Sequence, residues 1–590
     1  MALEEEPSGA PQELRRAIDC LESSLDLEDV PKIALEALAA GAVHFSLPAG
    51  DVLFESGSTP DGVYLLASGR LGVRGTAGPG FKAEIERGEL VGEAGWLLGE
   101  AHSATVTALR DSELLLLPHA LLEEAAARSS ELALAMARLC ARRLRRSNSA
   151  QRNTKHARIF ALVPNSEDID TIDFAARLAE ELRRTGRTEL VWDVRAETHT
   201  ASWFGRLEEQ NDYIVYAAGP GAGGWLRQCC RQADLILTLA RAGSGPRAWP
   251  AAVCAAAARG TRVELALLHE GAFVAGAASR WLETLPVAQH HHIAGPPDLG
   301  RAARLITRRG VGLVLSGGGA RGFAHLGVVR ALREARVPID FVGGASIGAI
   351  IAAGVAMGWG DEEMRTRYRR TFVDSNPVSD YTFPLVALTR GRKVSRLLER
   401  EYGDTLIEDL RTPFFCLSAD LNAARGVEHR DGTVWRALRA SVAIPGMLPP
   451  VFRGDDVLVD GAAINNLPID LMHAHAPGLV IGCDVGANSR GGRQMNIFQI
   501  LMRAGMVNSV SSAAAQRNLA DVLLKPSLAS IDLLEWHAFD RAIEAGYDHA
   551  VRALEELANL PRLAPAPKEP APTSLSTELE RRLAARALAG

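Results

Sequence analysis

From residue 41 to 118 the apolar positions come in short runs cut by glycine, as in "GDVLFESGSTPDGVYLLASGRLGVRG" and "GELVGEAGWLLGEAHSATVTALRDSELLLLP". Short, evenly spaced strands separated by turn residues predict a small antiparallel β-barrel or roll. The next stretch, "HALLEEAAARSSELALAMARLCARRLRRSNSAQRN", is helical in pattern and ends in linker-like polar residues, closing a first domain at about residues 1–150. From 157 the period changes. Strand-length apolar runs such as "ARIFALVP", "NDYIVYAAG" and "ADLILTLA" alternate with helical stretches such as "TIDFAARLAEELRRTG". That alternation predicts βαβ units and a parallel or mixed sheet covered on both faces, in a second domain over about 155–300. The same alternation, with richer glycine punctuation, returns over about 306–562. A Pro/Ala linker and a short terminal helix capped by Ser576 or Thr577 are expected over 563–590.

The longest stretch without a charged side chain is "FVGGASIGAIIAAGVAMGWG", residues 341–360. Its length is about that of a membrane span, and Gly344 with Gly348 makes a small-xxx-small pair. Its glycine content, its serine and the lack of aromatic and basic flanks, with only Trp359 near one end, favour a buried helix instead. The acidic, polar start "MALEEEPSGAPQELRR" has no signal-peptide pattern. A cytoplasmic protein without a transmembrane segment is expected.

At roughly 150 residues per domain, 590 residues hold about three or four domains. A net charge of -6 gives no global basic field, so nucleic acid is not an expected partner. The seven cysteines are scattered without a CxxC pair, which points to a reducing compartment and against a structural zinc site.

Chemistry concentrates in the third block. "VGLVLSGGGARGFAHLGVVRAL" is an apolar strand, a glycine turn and a helix, and Gly317, Gly319 and Gly322 satisfy GxGxxG. A dinucleotide site would also need an acidic residue ending the next strand; Asp340 has the spacing but precedes that strand. The same amides, helped by Arg321 and the helix dipole, would equally stabilise an oxyanion. Within the uncharged stretch, Gly344-Ala345-Ser346-Ile347-Gly348 is a GxSxG between a short apolar strand and an apolar helix, the setting of a nucleophile elbow. A serine needs a base, and the candidates downstream are Asp460 in "LVDGAAINNLP" and His429, His473 and His475.

"GGGARG" (317–322), "GASIG" (344–348) and "DGA" (460–462), in this order, resemble the three hallmarks of patatin-like phospholipases, and "SVAIPGMLPPV" (441–451) resembles the segment ahead of that family's aspartate. The resemblance implies a three-layer α/β/α sandwich and a Ser–Asp dyad without histidine. Ser346 would be the nucleophile, Asp460 the base, and the Gly317, Gly318 and Gly319 amides with Arg321 the oxyanion hole. Gly344 and Gly348 would flank the elbow. Ala462 stands where the family most often has glycine. The triad alternative, in the order Ser346, Asp460, His473, stays open. His325, on the helix behind the glycine turn, is read as a structural hydrogen-bond former.

Residues 46–118 resemble a cyclic-nucleotide-binding β-roll. By that resemblance Gly92 and Glu93 would meet the ribose hydroxyl, with Ser103 and Ala104 near the cyclic phosphate. His102 stands where the family usually has an arginine, and a mostly neutral imidazole replaces a permanent forked charge. Two readings follow: a cyclic-nucleotide sensor, or a degenerate regulatory or dimerisation module. The middle domain resembles the region between the nucleotide-binding and esterase domains of the neuropathy-target-esterase-like group. Its first strand runs into "PNSEDID" with no GxxxxGK[ST], so no ATPase is expected. "QHHHIAG" (289–295) reads as a solvent-facing loop without a metal role.

The chain is therefore expected to be a β-roll, an α/β middle domain and a patatin-like sandwich, acting as a serine esterase on phospholipids or lysophospholipids at a membrane surface. No metal or other cofactor is required, and a cyclic nucleotide is the candidate regulator. The helices of 119–147 offer a surface for homodimer pairing, and the inner membrane surface is the expected site of peripheral attachment. The rival reading is a non-catalytic signalling scaffold.

Overall fold

The structure, a computed structural model, describes residues 10–24, 26–75, 83–148, 157–192, 201–219, 223–271, 273–283, 287–475, 477–486 and 514–557. The expected cap at Ser576 or Thr577 lies outside them. The chain divides between Thr307 and Arg308 into two compact units.

The first unit begins with two four-stranded antiparallel sheets. One orders Val43–Leu47, Ser112–Pro118, Gly62–Ser68 and Leu90–Val91; the other orders Val52–Phe54, Thr105–Ala108, Leu71–Arg74 and Ala83–Ile85. Alternating side chains of both sheets, among them Leu66, Leu71, Val106 and Leu114, meet in the roll's core. Helices Lys32–Gly41, His119–Arg128 and Ser130–Asn148 pack outside it through Leu38, Leu122 and Met136.

The same unit continues with a six-stranded, wholly parallel sheet in the order Thr188–Val191, Tyr213–Ala217, Ile159–Pro164, Leu235–Arg241, Arg262–Leu268 and Gln289–Ile293. Each face carries its own apolar cluster, which is why the central strands read as unbroken apolar runs. The histidine run departs from expectation. It is the edge strand Gln289–Ile293 rather than a solvent-facing loop, and His291 and His292 are buried. Their polarity is met from the neighbouring strand Arg262–Leu268 and the residue that follows it: His291 Nε2 lies 2.6 Å from Glu264 Oε2, and His292 Nδ1 lies 2.9 Å from His269 Nε2. Among the described residues, no cluster has the make-up of a metal site.

The second unit is built on an eight-stranded mixed sheet. Phe414–Asp420, Phe341–Ala345, Gly310–Leu315, Gly478–Cys483 and Val522–Leu524 run parallel in that order. Arg425–His429 and Asp456–Asp460 add antiparallel to Phe414–Asp420, and Val451–Arg453 pairs with Asp456–Asp460. Helices Ala324–Glu334, Ile347–Ala356 and Phe539–Leu557 cover one face, and Ile469–Ala474 covers the other over Phe341, Phe415 and Val480. The result is a three-layer α/β/α sandwich. Every residue of Ile347–Ala356 is buried, as a helix apolar all round requires. Among the described residues, no helix is long and apolar enough to cross a membrane.

Candidate active site

Strand Phe341–Ala345 ends at the carboxyl edge of the sheet, and helix Ile347–Ala356 starts one residue later. Ser346 is that residue, held at φ 55° and ψ -129°, a conformation an L-residue keeps only where its surroundings impose it. The imposition comes from the flanking glycines. A Cβ on Gly344 would sit 2.4 Å from the Leu315 carbonyl oxygen and one on Gly348 2.2 Å from the same atom, so only glycine lets strand and helix close this tightly.

Ser346 Oγ donates to Asp460 Oδ2 at 2.6 Å, and Asp460 Oδ1 accepts the Ala462 N–H at 2.9 Å. Asp460 is 1% exposed. Burial lifts its carboxyl from the ordinary 3.8 to about 6, against the pull of the two hydrogen bonds. A carboxylate at that value, touching a hydroxyl, can accept its proton near neutrality.

One segment holds both groups. The Ser346 N–H donates to Ser441 Oγ at 3.1 Å, and the Ser441 hydroxyl in turn donates to the Leu417 carbonyl at 2.7 Å. Two residues on, the Ala443 carbonyl accepts the Asp460 N–H at 3.0 Å. Ser441 closes a short amphipathic helix, a position that carries no signal in the sequence of what lies across the fold.

The glycine turn faces the same point. Gly317 packs so closely that a Cβ would lie 3.0 Å from that of Ser346. Its amide is already donated to the Asn466 carbonyl at 3.3 Å. The Gly318 and Gly319 amides donate to no described residue. Arg321 Nε donates to the Ile531 carbonyl at 2.6 Å, and burial lowers its pKa. It thus braces the segment that brings Leu534 and Trp536 to the site.

Above Ser346 opens an apolar cleft. Ile350, Phe372, Val378, Leu397, Val442, Ile444 and Trp536 line it, with Gly319 and Ser346 at its floor. An apolar cleft ending at an activated hydroxyl suits a long acyl group.

No histidine completes a triad among the described residues. His473 sits on helix Ile469–Ala474, over the opposite face of the sheet, and its Nε2 donates to the Leu519 carbonyl at 2.8 Å. His475 pairs with Glu428 at 2.5 Å. His429 shares a 2.8 Å hydrogen bond with Ser418, and burial pushes it down to about 4. His325 Nε2 donates to the Ser316 carbonyl at 2.8 Å, the expected structural role, and burial likewise takes it to about 4. Asp340 accepts the Val311 N–H at the other end of its strand from the glycine turn, where it cannot serve a nucleotide bound there.

In the roll, Gly92 and Glu93 open helix Glu93–Leu98, and His102, Ser103 and Ala104 lead into strand Thr105–Ala108. Glu93 is buried and paired with Arg143 Nη1 at 2.5 Å. His102 stacks on Phe54 with ring centres 3.7 Å apart, and burial lowers its pKa, so the imidazole is neutral where a phosphate would need a cation.

Three family models match the chain in sequence: a cyclic nucleotide-binding domain over residues 44–129, a Neuropathy Target Esterase family P-loop like domain over 156–309, and a patatin-like phospholipase over 313–473. The third match makes the second unit a patatin-like phospholipase domain and the chain a hydrolase of that class. An uncharacterised NTE family protein of Mycobacterium bovis is 32% identical, over 91% of this chain and 96% of its own. The chain belongs to the NTE family. Lysophospholipase nte1 of Aspergillus fumigatus is 28% identical over 91% of this chain and 43% of its own. Patatin-like phospholipase domain-containing protein 7 of Rattus norvegicus is 28% identical over 85% and 44%. The chain thus spans under half the length of these two eukaryotic relatives. The N-terminal domain of a transcriptional regulator from Streptomyces coelicolor A3(2) is a solved structure 31% identical, covering 22% of this chain and 97% of its own, at a TM-score of 0.20.

Proposed function

We propose that this chain hydrolyses acyl ester bonds of phospholipids or lysophospholipids with Ser346 as nucleophile and Asp460 as its base. The observation that carries the reading is the 2.6 Å hydrogen bond from Ser346 Oγ to the buried Asp460 carboxylate at the floor of an apolar cleft. Asp460 takes the hydroxyl proton as Oγ attacks the acyl carbonyl. The Gly318 and Gly319 N–H groups, with the start of helix Ile347–Ala356, stabilise the oxyanion. The ester C–O bond then breaks, and the departing alcohol leaves with the proton from Asp460. Water repeats the sequence on the acyl-enzyme, giving its proton to Asp460 and releasing the fatty acid and free Ser346.

The relatives named lysophospholipase support a lipid ester as substrate. The protein works in the cytoplasm, peripherally at the inner membrane surface, and the N-terminal roll is a regulatory module with helices that pair two copies. The neutral His102 and the pairing of Glu93 with Arg143 favour a roll that does not depend on a cyclic nucleotide. A fluorophosphonate probe tests the chemistry: it labels the wild type and not Ser346→Ala. Absence of labelling in a folded wild type would return the protein to the non-catalytic scaffold class.

A further inference from the structure

The segment from Pro377 to Leu398 does two things at once. At its start Pro377 and Val378, and at its end Val394, Leu397 and Leu398, line the acyl cleft. Between them the chain leaves the fold, and Tyr381, Phe383, Leu385 and Val386 are 67%, 79%, 84% and 70% exposed. The excursion is held in one shape: the Thr382 N–H donates to the Leu388 carbonyl, the Arg390 N–H to the Asp380 carbonyl, and the Leu388 N–H to the Gly446 carbonyl beside the cleft wall. A restrained turn with four large apolar side chains outward is costly in water and calls for a non-aqueous partner.

Charge around the turn selects that partner. From 381 to 398 the chain carries Arg390, Arg392, Lys393 and Arg396 and no carboxylate. Arg390, Arg392 and Arg396 are exposed and form no ion pair among the described residues. The Asp380 carboxylate is turned to the Lys393 backbone N–H. An apolar tip followed along the chain by exposed arginines without ion pairs among the described residues matches an anionic lipid surface, with the tip below the headgroups and the guanidinium groups level with the phosphates. Continuity with the cleft favours lipid over a second copy of the chain, since a bilayer-seated tip would bring the cleft walls to where acyl chains lie.

We propose that residues 381–386 are the element by which the second unit enters an anionic bilayer, delivering acyl chains to the cleft above Ser346. The inference rests on the esterase reading for its purpose, but the surface is tested separately. The full-length protein is sedimented with vesicles of phosphatidylcholine containing about 30% phosphatidylserine, and with vesicles of phosphatidylcholine alone. Wild type is expected to bind the anionic vesicles. The triple variant Phe383→Ser, Leu385→Ser, Val386→Ser is expected to bind them at least about tenfold more weakly while hydrolysing a water-soluble short-chain nitrophenyl ester at the wild-type rate. Arg390→Gln with Arg392→Gln and Arg396→Gln is expected to abolish the preference for anionic vesicles. Unchanged vesicle binding by the triple variant overturns the proposal, as does a wild-type oligomer in solution that the triple variant dissolves, since a second copy would then cover the tip. A wild type that binds vesicles through the tip yet hydrolyses neither the nitrophenyl ester nor the vesicle phospholipid would overturn the esterase reading and leave the surface standing.

Discussion

Replacing Asp460 with asparagine tests the buried base in two independent ways. Asparagine keeps the shape and can still accept the Ala462 N–H, but it cannot titrate. In the wild type, burial lifts this carboxyl from 3.8 to about 6, and at about 1.4 kcal/mol for each tenfold in proton affinity the lift amounts to about 3 kcal/mol. The sign follows from which state keeps the proton. Between those values Asp460 is protonated in the native protein and not in the unfolded chain, so its contribution to stability is fullest below about pH 4, falls as pH rises, and is gone above about 6. Asp460→Asn removes that fall. Relative to wild type, the variant should therefore be more stable at pH 8 than at pH 4 by about 3 kcal/mol. Urea unfolding read by hydrogen exchange in peptides of the buried helix Ile347–Ala356 reports on this unit alone. Esterase turnover should meanwhile fall by about 10²–10⁴. A stability difference that does not change with pH would refute the raised carboxylate, and full activity in the variant would refute its role as base.

Three further outcomes are expected. Ser441→Ala leaves the buried Ser346 amide without its acceptor, which should cost about 1–3 kcal/mol in the same unfolding assay and lower kcat more than it raises KM. His473→Ala should hydrolyse ester at the wild-type rate, because its imidazole serves the Leu519 carbonyl; collapse of turnover in a folded variant would restore the triad. Calorimetric titration of the wild type with cyclic AMP or cyclic GMP should show no saturable heat at millimolar ligand. His102→Arg, which supplies the missing forked cation, should bring binding into range.

What could be read along the chain was chemistry written within a few residues. The GxSxG between strand and helix demands close backbone approach, and the glycines meet the Leu315 carbonyl as that spacing implies. The roll and the two α/β sheets were legible because each buries a face with its own period. The histidine run was misread because three like residues in a row hide the alternation of a strand, and the Glu264 and His269 that accommodate it lie more than twenty residues away. Ser441 and the cleft walls were invisible for the same reason: they come from segments joined only by tertiary packing. Gly317 shows a finer limit. Its place in the glycine motif suggested a free donor, but Asn466, well beyond the motif, already takes its amide.

The segment 441–444 has a consequence for substrate choice. Ser441 and Ala443 tether Ser346 and Asp460, while Val442 and Ile444, interleaved with them, form part of the cleft wall. On the proposed mechanism, the ruler that measures an acyl chain and the clamp that aligns the reacting atoms are thus one piece of backbone. A chain too short to press on the wall, or too bulky for it, disturbs alignment as well as occupancy, so discrimination between fatty acids would register in the rate of bond breaking and not in affinity alone.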